Sequence, residues 1–410
     1  MEALADTPVV YLRGARQSGK TTLVRQLAAE TSGLGEGRQY VSLDSAMTLA
    51  LAMEDPTGFL RDLKKPVIID EAQRVPSLML AIKEDVDLER QPGRYLLTGS
   101  ANYLALPSIA DSLAGRVEVL TLYPFSQGEI AGVREDFIQA LFRDDFPKGP
   151  AGPIWNKEDL FGALARGGFP EVLSRNTAKR RAAWIASYFT TLVERDIRDV
   201  ANIKDIGGLF RLLRLLGARS GTLFNQAEFS RDTGVPASTL GRYVRLLESL
   251  FLIWLLPAWS RNLGKRLTKM PKVHVIDSGL ACHLCGADAP RLAGDQTLAG
   301  RLLESFVAGE VLRQSCWTEH QVALYHYRSS AGEEVDLVLE DWSGRVAAVE
   351  VKLAASVYPH DLRGLASLRG VMGDSFVRGA VIYLGREPMA MGDRLFAVPL
   401  GTVFAGTPLG

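Results

Sequence analysis

Short, unbroken apolar runs recur through the first third of the chain: Pro8-Val9-Val10-Tyr11-Leu12, then Gln39–Leu43, Pro66–Ile69, Arg94–Thr98 and Val117–Leu122. Each is too short for a helix and lacks the alternation of a half-solvated strand, so each predicts a strand buried on both faces. Helical patterns or turns separate them, beginning with Thr22-Leu23-Val24-Arg25-Gln26-Leu27-Ala28, and this spacing predicts a parallel sheet covered on both sides. Farther on the period changes. Apolar residues recur at helical spacing through Ala182–Val200 and Leu209–Leu216. Residues Gln226 to Leu247 predict two helices around a tight turn at Thr233-Gly234. Pro236 opens the second, where a missing N–H costs nothing. Leu240, Val244 and Leu247 line its inner face, and Ser238, Thr239, Arg242 and Arg245 face out. Phe251–Leu256 and Lys272–Ile276 predict the strands of a wing, its tip carrying Arg261, Lys265, Arg266 and Lys269. In the last quarter an amphipathic helix begins at Leu302-Leu303-Glu304-Ser305-Phe306-Val307. Strands Glu334–Leu339 and Val346–Lys352 follow, joined by a turn around Trp342-Ser343-Gly344.

Length and charge narrow the classes. A chain of 410 residues holds two to four domains at roughly 100–200 residues each. Pro147-Lys148-Gly149-Pro150-Ala151-Gly152-Pro153 is its best linker. The 47 basic and 47 acidic residues cancel, so a nucleic-acid surface has to be local. One candidate exists: residues 201–275 hold 12 Lys/Arg and 4 Asp/Glu, and 12 − 4 gives +8. Three cysteines make no disulfide framework, which suits a reducing cytoplasm. Glu2 and Asp6 do not resemble a secretion signal. Leu250 to Leu256 is the longest apolar run, far short of the roughly 20 residues that span a bilayer. A cytoplasmic protein without a membrane segment is expected. Cys282-His283-Leu284-Cys285 supplies only half a zinc site, with Cys316 alone 31 residues on, so a helix packing two small sulfur side chains is expected.

The candidate chemistry begins directly after the first apolar run. Gly14-Ala15-Arg16-Gln17-Ser18-Gly19-Lys20-Thr21-Thr22 is a complete phosphate-binding loop, set between a predicted strand and a predicted helix. Gly14 and Gly19 let successive N–H groups turn toward a phosphate, and the helix N-terminus adds partial positive charge. Lys20 is placed to reach the β- and γ-phosphates of ATP, and Thr21 to offer a hydroxyl to Mg²⁺. Val67-Ile68-Ile69-Asp70-Glu71 delivers two carboxylates to a strand end. Asp70 would hold the magnesium shell, and Glu71 would orient the attacking water. A polar side chain at the end of the next strand is expected beside the γ-phosphate, Ser100 first and Thr98 next. Arg116, at the end of Asp111-Ser112-Leu113-Ala114-Gly115-Arg116, reads either as a finger toward a neighbouring copy or as a surface arginine.

A second constellation lies near the C-terminus. If residues 341 and 345 close the hairpin, paired positions sum to 686, and Asp336 lies opposite Glu350. A period of two puts Lys352 on the same face. Two carboxylates and a lysine suit phosphodiester cleavage, the carboxylates binding one or two Mg²⁺ or Mn²⁺ ions. The alternative is a charged face in which Lys352 pairs with Glu350 or Asp336.

Together these stretches resemble the AAA+ ATPases that carry a DUF4143-type C-terminal domain. The resemblance rests on Gly14–Thr22, Val67–Pro76, Leu96–Ser100, Ser112–Arg116 with Leu122-Tyr123-Pro124-Phe125-Ser126, Gly167-Gly168-Phe169-Pro170-Glu171, and Tyr188 through Glu194-Arg195-Asp196-Ile197. It implies an α/β fold: an ATPase core over 1–130, a helical lid over 131–220, a winged helix over 221–289 and a restriction-endonuclease-like α/β domain over 290–410. It also implies a helical segment ahead of the first strand, where only about seven residues stand here. The C-terminal pattern resembles the PD-(D/E)xK nucleases. There Asp336, Glu350 and Lys352 match the core, Glu304 matches an acidic residue on the first helix, and Asp361–Leu368 and Gly379–Leu384 match later elements. Val335 stands where a proline is common. The function implied is Mg²⁺-dependent ATP hydrolysis coupled to DNA binding or cleavage. Its rival is a nucleotide-dependent switch that holds partner proteins and carries an inactive nuclease-like domain. A working Arg116 finger implies a homo-oligomer.

Overall fold

A computed structural model describes residues 2–32, 37–100, 113–146, 152–193 and 205–409. Ala101, Asn102, Asp111, Ser112, the linker centre 147–151 and Glu194-Arg195-Asp196-Ile197 lie outside these residues. Two compact units emerge, Met1–Pro124 with Ser249–Phe251, and Phe125–Glu248 with Leu252–Gly410.

In the first unit, the short helix Glu2–Asp6 precedes β1 (Val9–Arg13). With β2 (Gln39–Ser42), β3 (Val67–Asp70), β4 (Tyr95–Gly99) and β5 (Val117–Thr121) it forms a wholly parallel sheet in the order β2-β3-β4-β1-β5. The unbroken apolar runs are explained by a split between two faces. Val9, Tyr11, Val67, Ile69, Tyr95 and Leu97 pack with residues of the helices Ala46–Glu54, Pro56–Asp62 and Leu78–Leu88. Val10, Leu12, Ile68 and Leu96 pack with Val24 of the helix Lys20–Ser32. Each such side chain contributes about 1.5–3 kcal/mol by leaving water. The edge strand β5 departs from expectation, because Val119 and Leu120 are each 37% exposed.

The order matters for chemistry. β4 lies between β1 and β3, so its tip stands between the strand that feeds the glycine-rich loop and the strand that ends in the two carboxylates.

The second unit contains β6 (Val133–Glu135) and the helices Lys157–Arg166, Ala178–Leu192 and Ile206–Ala218. Next come β7 (Thr222–Leu223) and the helices Gln226–Thr233 and Ala237–Ser249. Asn225 caps the first of this pair with its side chain, and Gly234 ends it at φ 69°. β8 (Ile253–Leu256) and β9 (Lys272–Val275) then form the order β7-β9-β8. The expected wing tip is not a plain loop, since a helix occupies Leu263–Thr268. The helix Gln296–Gln314 leads to β10 (Val322–Arg328), β11 (Glu334–Asp341), β12 (Val346–Val351), β13 (Phe376–Tyr383), β14 (Met389–Gly392) and β15 (Leu395–Pro399). They make a mixed sheet in the order β10-β11-β12-β13-β15-β14. The β11–β12 register pairs Leu337 with Val349 and Glu340 with Val346, the expected sum of 686. β16 (Gly406–Pro408) pairs with β6. Among the described residues no helix is long and apolar enough to cross a membrane.

Candidate nucleotide site and a C-terminal acid cluster

The loop after β1 requires its glycines. A β-carbon on Gly14 would stand 2.1 Å from the Leu122 carbonyl oxygen, and Gly19 takes φ 101°. Gln17 adopts φ 64° between them. Ala15 and Ser18 are buried, Arg16 is half-buried, and Gln17 and Thr22 are exposed. Lys20 is 5% exposed, and its amine donates to the carbonyls of Gly14 (2.9 Å) and Ala15 (2.7 Å). Burial pushes its pKa down to about 8, against the opposing pull of Glu71. The buried Ser18 hydroxyl has no hydrogen-bond partner. An amine folded onto loop carbonyls beside an unpartnered hydroxyl fits a cradle for phosphate oxygens.

Asp70 is the hub of the sheet tip. Its Oδ2 accepts from Thr21 Oγ1 (3.0 Å) and Tyr40 OH (2.8 Å), and its Oδ1 accepts from Thr98 Oγ1. The Glu71 N–H donates to Thr98 Oγ1 at 3.0 Å. Thr21 hydroxyl and Asp70 carboxylate side by side are the all-oxygen donor pair that a hard cation takes. Glu71 itself sits at φ 61°, ψ 39°. A non-glycine residue in the left-handed region costs about 1–3 kcal/mol and marks a position that its surroundings over-determine. Its carboxylate accepts from Gln73 Nε2, which also donates to Ser100 Oγ at 3.2 Å.

The two candidates on β4 therefore divide their roles. Thr98 holds Asp70 and the Glu71 backbone, and Ser100 holds Gln73. Tyr40 and Gln73 were not identified by sequence reasoning. Tyr40 carried no signal. Gln73 carried one, two residues past the acidic pair. Arg116 forms a double contact with Asp87, at 2.5 and 3.0 Å, on the surface.

The C-terminal residues also meet. Asp336 Oδ2 accepts from the Val351 N–H at 2.9 Å, and Lys352 donates to Glu350 Oε1 at 2.9 Å. Glu304 is linked to Asp336 through a shared cation. The residue not anticipated is Lys272. It was assigned to the wing, yet its amine is buried against Glu304 Oε1 (2.5 Å) and Asp336 Oδ1 (3.0 Å). Burial, and then the charge of Asp336, pushes Glu304 and Glu350 each up to about 8. Arg266, also assigned to the exposed tip, turns inward to Glu340 and stacks over Trp259 and Tyr325. Lys272 on β9 and Arg266 on the helix Leu263–Thr268 are both drawn out of the basic surface by carboxylates of the C-terminal sheet. Arg242 and Arg245 remain exposed, as expected. Cys282 and Cys285 lie inward as small packing groups, with the Cys282 thiol donating to the Leu164 carbonyl, while Cys316 is exposed.

Residues 6–131 match the model of an AAA domain. Residues 157–291 match a domain of unknown function, DUF8612, and residues 299–403 another, DUF4143. Uncharacterized proteins of Mycobacterium tuberculosis and Mycobacterium bovis are each 31% identical over 400 residues, covering 97% of this chain and 81% of theirs. This chain belongs to their family. It carries an AAA domain and a DUF4143 domain, and an uncharacterized protein of Haemophilus influenzae is a more distant relative, 25% identical over 327 residues, 75% of this chain and 74% of that protein. Among solved structures, AMPPCP-bound DnaA from Aquifex aeolicus aligns at 15% identity over 60% of this chain and 84% of that one, with a TM-score of 0.30. McrB of Thermococcus gammatolerans, in an assembly with McrC, aligns at 12% identity over 70% of this chain and 76% of that one, with a TM-score of 0.25. Likeness at that level carries no weight for fold or activity.

Proposed function

We propose that the AAA domain binds ATP with Mg²⁺ at the sheet tip and hydrolyses it. The observation that carries this reading is the single hydrogen-bonded network that joins Thr21, Asp70, Thr98 and the Glu71 backbone. Loop N–H groups and Lys20 hold the phosphates. Thr21 and Asp70 would hold Mg²⁺, which would neutralise charge on the phosphates. Thr98 fixes Asp70 and the start of the Glu71 turn. Glu71 orients a water at the γ-phosphate, and Gln73, tied to Ser100, sets the resting direction of that carboxylate. In this reading Lys20→Ala abolishes nucleotide binding by calorimetry. Glu71→Gln keeps ATP affinity within about threefold and lowers turnover by 10²-fold or more. Unchanged affinity in the first variant or unchanged turnover in the second overturns the proposal. Arg116 serves a neighbouring copy only after release from Asp87, an exposed pair that solvent screens.

A second reading concerns nucleic acid. The helix Ala237–Ser249 presents Ser238, Arg242 and Arg245 to solvent while Leu240, Tyr243, Val244 and Leu247 are buried. This favours duplex contact by that helix. For the C-terminal domain, the buried Lys272 favours the inactive nuclease-like alternative over cleavage.

A further inference from the structure

The acid cluster already contains a cation. Lys272 opens β9, is 3% exposed, and places its amine against Glu304 and Asp336 at 2.5 and 3.0 Å. These are the carboxylates that a divalent ion would need. An ammonium with three donors and a metal demanding oxygens at about 2.0–2.6 Å cannot share them. The remaining groups are nearly complete. Asp336 spends its other oxygen on the Val351 N–H, and Glu350 one oxygen on Lys352, which stands 4.0 Å from Asp361. Glu350 Oε2 is buried and has no hydrogen-bond partner. A carboxylate oxygen left unpaired at a residue 9% exposed is an acceptor site still open to a cation.

We propose that Lys272 is the resident cation of this cluster, taking the place of a divalent ion between Glu304 and Asp336. The chain as it stands excludes Mg²⁺ and Mn²⁺ there. The three-stranded sheet thus supplies from its own strand the charge that a metal would bring, and in doing so it latches β9 to the helix Gln296–Gln314 and to β11. Among the described residues no group of three acidic, histidine or cysteine side chains is set to hold a metal ion as the chain stands. Taking the amine away frees oxygens of Glu304 and Asp336, and the unpartnered oxygen of Glu350 is then the third ligand available to a divalent cation.

The test uses the full chain without nucleotide, titrated with Mn²⁺ and followed by electron paramagnetic resonance. Wild type and Glu350→Gln should bind Mn²⁺ equally. Lys272→Ala and the better-packed Lys272→Gln should each bind one more equivalent of Mn²⁺ than wild type, and that equivalent should be lost again when Glu350→Gln is added. Circular dichroism reports folding of each variant. Mn²⁺ binding in wild type that Glu350→Gln abolishes overturns the exclusion. Folded Lys272 variants that gain no site overturn the substitution of amine for metal. Should both Lys272 variants unfold, the wild-type and Glu350→Gln comparison still decides the first point. ATP is absent throughout, so the outcome is independent of hydrolysis at the sheet tip.

Discussion

At the residue scale, the nucleotide site depends on groups that burial has made unusual. Lys20 has its pKa lowered to about 8 by desolvation, with Glu71 and Asp70 pulling the other way. Phosphate binding favours the ammonium, so above the free-state pKa each binding event takes up a proton. ATP affinity should therefore be flat below about pH 7.5 and weaken by up to tenfold per unit from pH 8.5 upward. Calorimetry in buffers of different ionisation enthalpy would report that uptake. Thr98 is fully buried and serves Asp70 and the Glu71 N–H together. Thr98→Val keeps the shape and orphans the N–H, which should cost about 1–3 kcal/mol of stability by thermal melting and lower turnover with it. The loop and the acidic pair were legible because their chemistry is local in sequence. Tyr40 was not, because its contact with Asp70 is made across the β2–β3 pairing, which no local pattern encodes.

At the element scale, apolar runs gave the strands of the parallel sheet to within a residue or two; for β1, β3 and β4 this is because a strand buried on both faces cannot tolerate polar alternation, whereas the edge strands β2 and β5 are half-buried or exposed. They did not give the order. The insertion of β4 between β1 and β3 decides that Thr98 and Ser100 stand beside the phosphate loop and the acidic pair. The helix Ala237–Ser249 follows its pattern closely, with apolar residues inward and Arg242 and Arg245 outward. If that face meets duplex phosphates, Arg242→Ala with Arg245→Ala should weaken DNA binding about equally across sequences. It should also flatten the log–log salt slope by about 2, measured by fluorescence anisotropy. No change in slope would remove this helix from contact. The wing shows the opposite case. Arg266 and Lys272 sit in a basic, hydrophilic-looking stretch, and sequence alone gives no reason to turn them inward.

At the scale of the whole molecule, buried carboxylates tie distant segments of the second unit together. Glu310 accepts from the Gln127 N–H at 2.8 Å and stands 3.6 Å from Arg313. Burial pushes it up to about 7, opposed by Arg313 and abetted by Glu135 and Glu129. A carboxyl raised from its ordinary 4.5 holds more protons when folded, so stability falls as pH rises through that window and levels off above about 7. Glu310→Gln keeps an acceptor for Gln127 and should show a flatter fall in melting temperature between pH 5 and 7 than wild type, by differential scanning fluorimetry. The hairpin register illustrates what crosses scales: Asp336, Glu350 and Lys352 could be brought together from the turn alone, because a short antiparallel loop fixes pairing by counting. By itself, then, the sequence determined the phosphate loop, the acidic strand end, the parallel sheet and the hairpin, all set by short-range sterics, apolar periodicity and local counting. Only the tertiary structure decided the strand order, the hub around Asp70 and the lysine among the C-terminal acids, because a long-range contact follows from which surfaces bury one another.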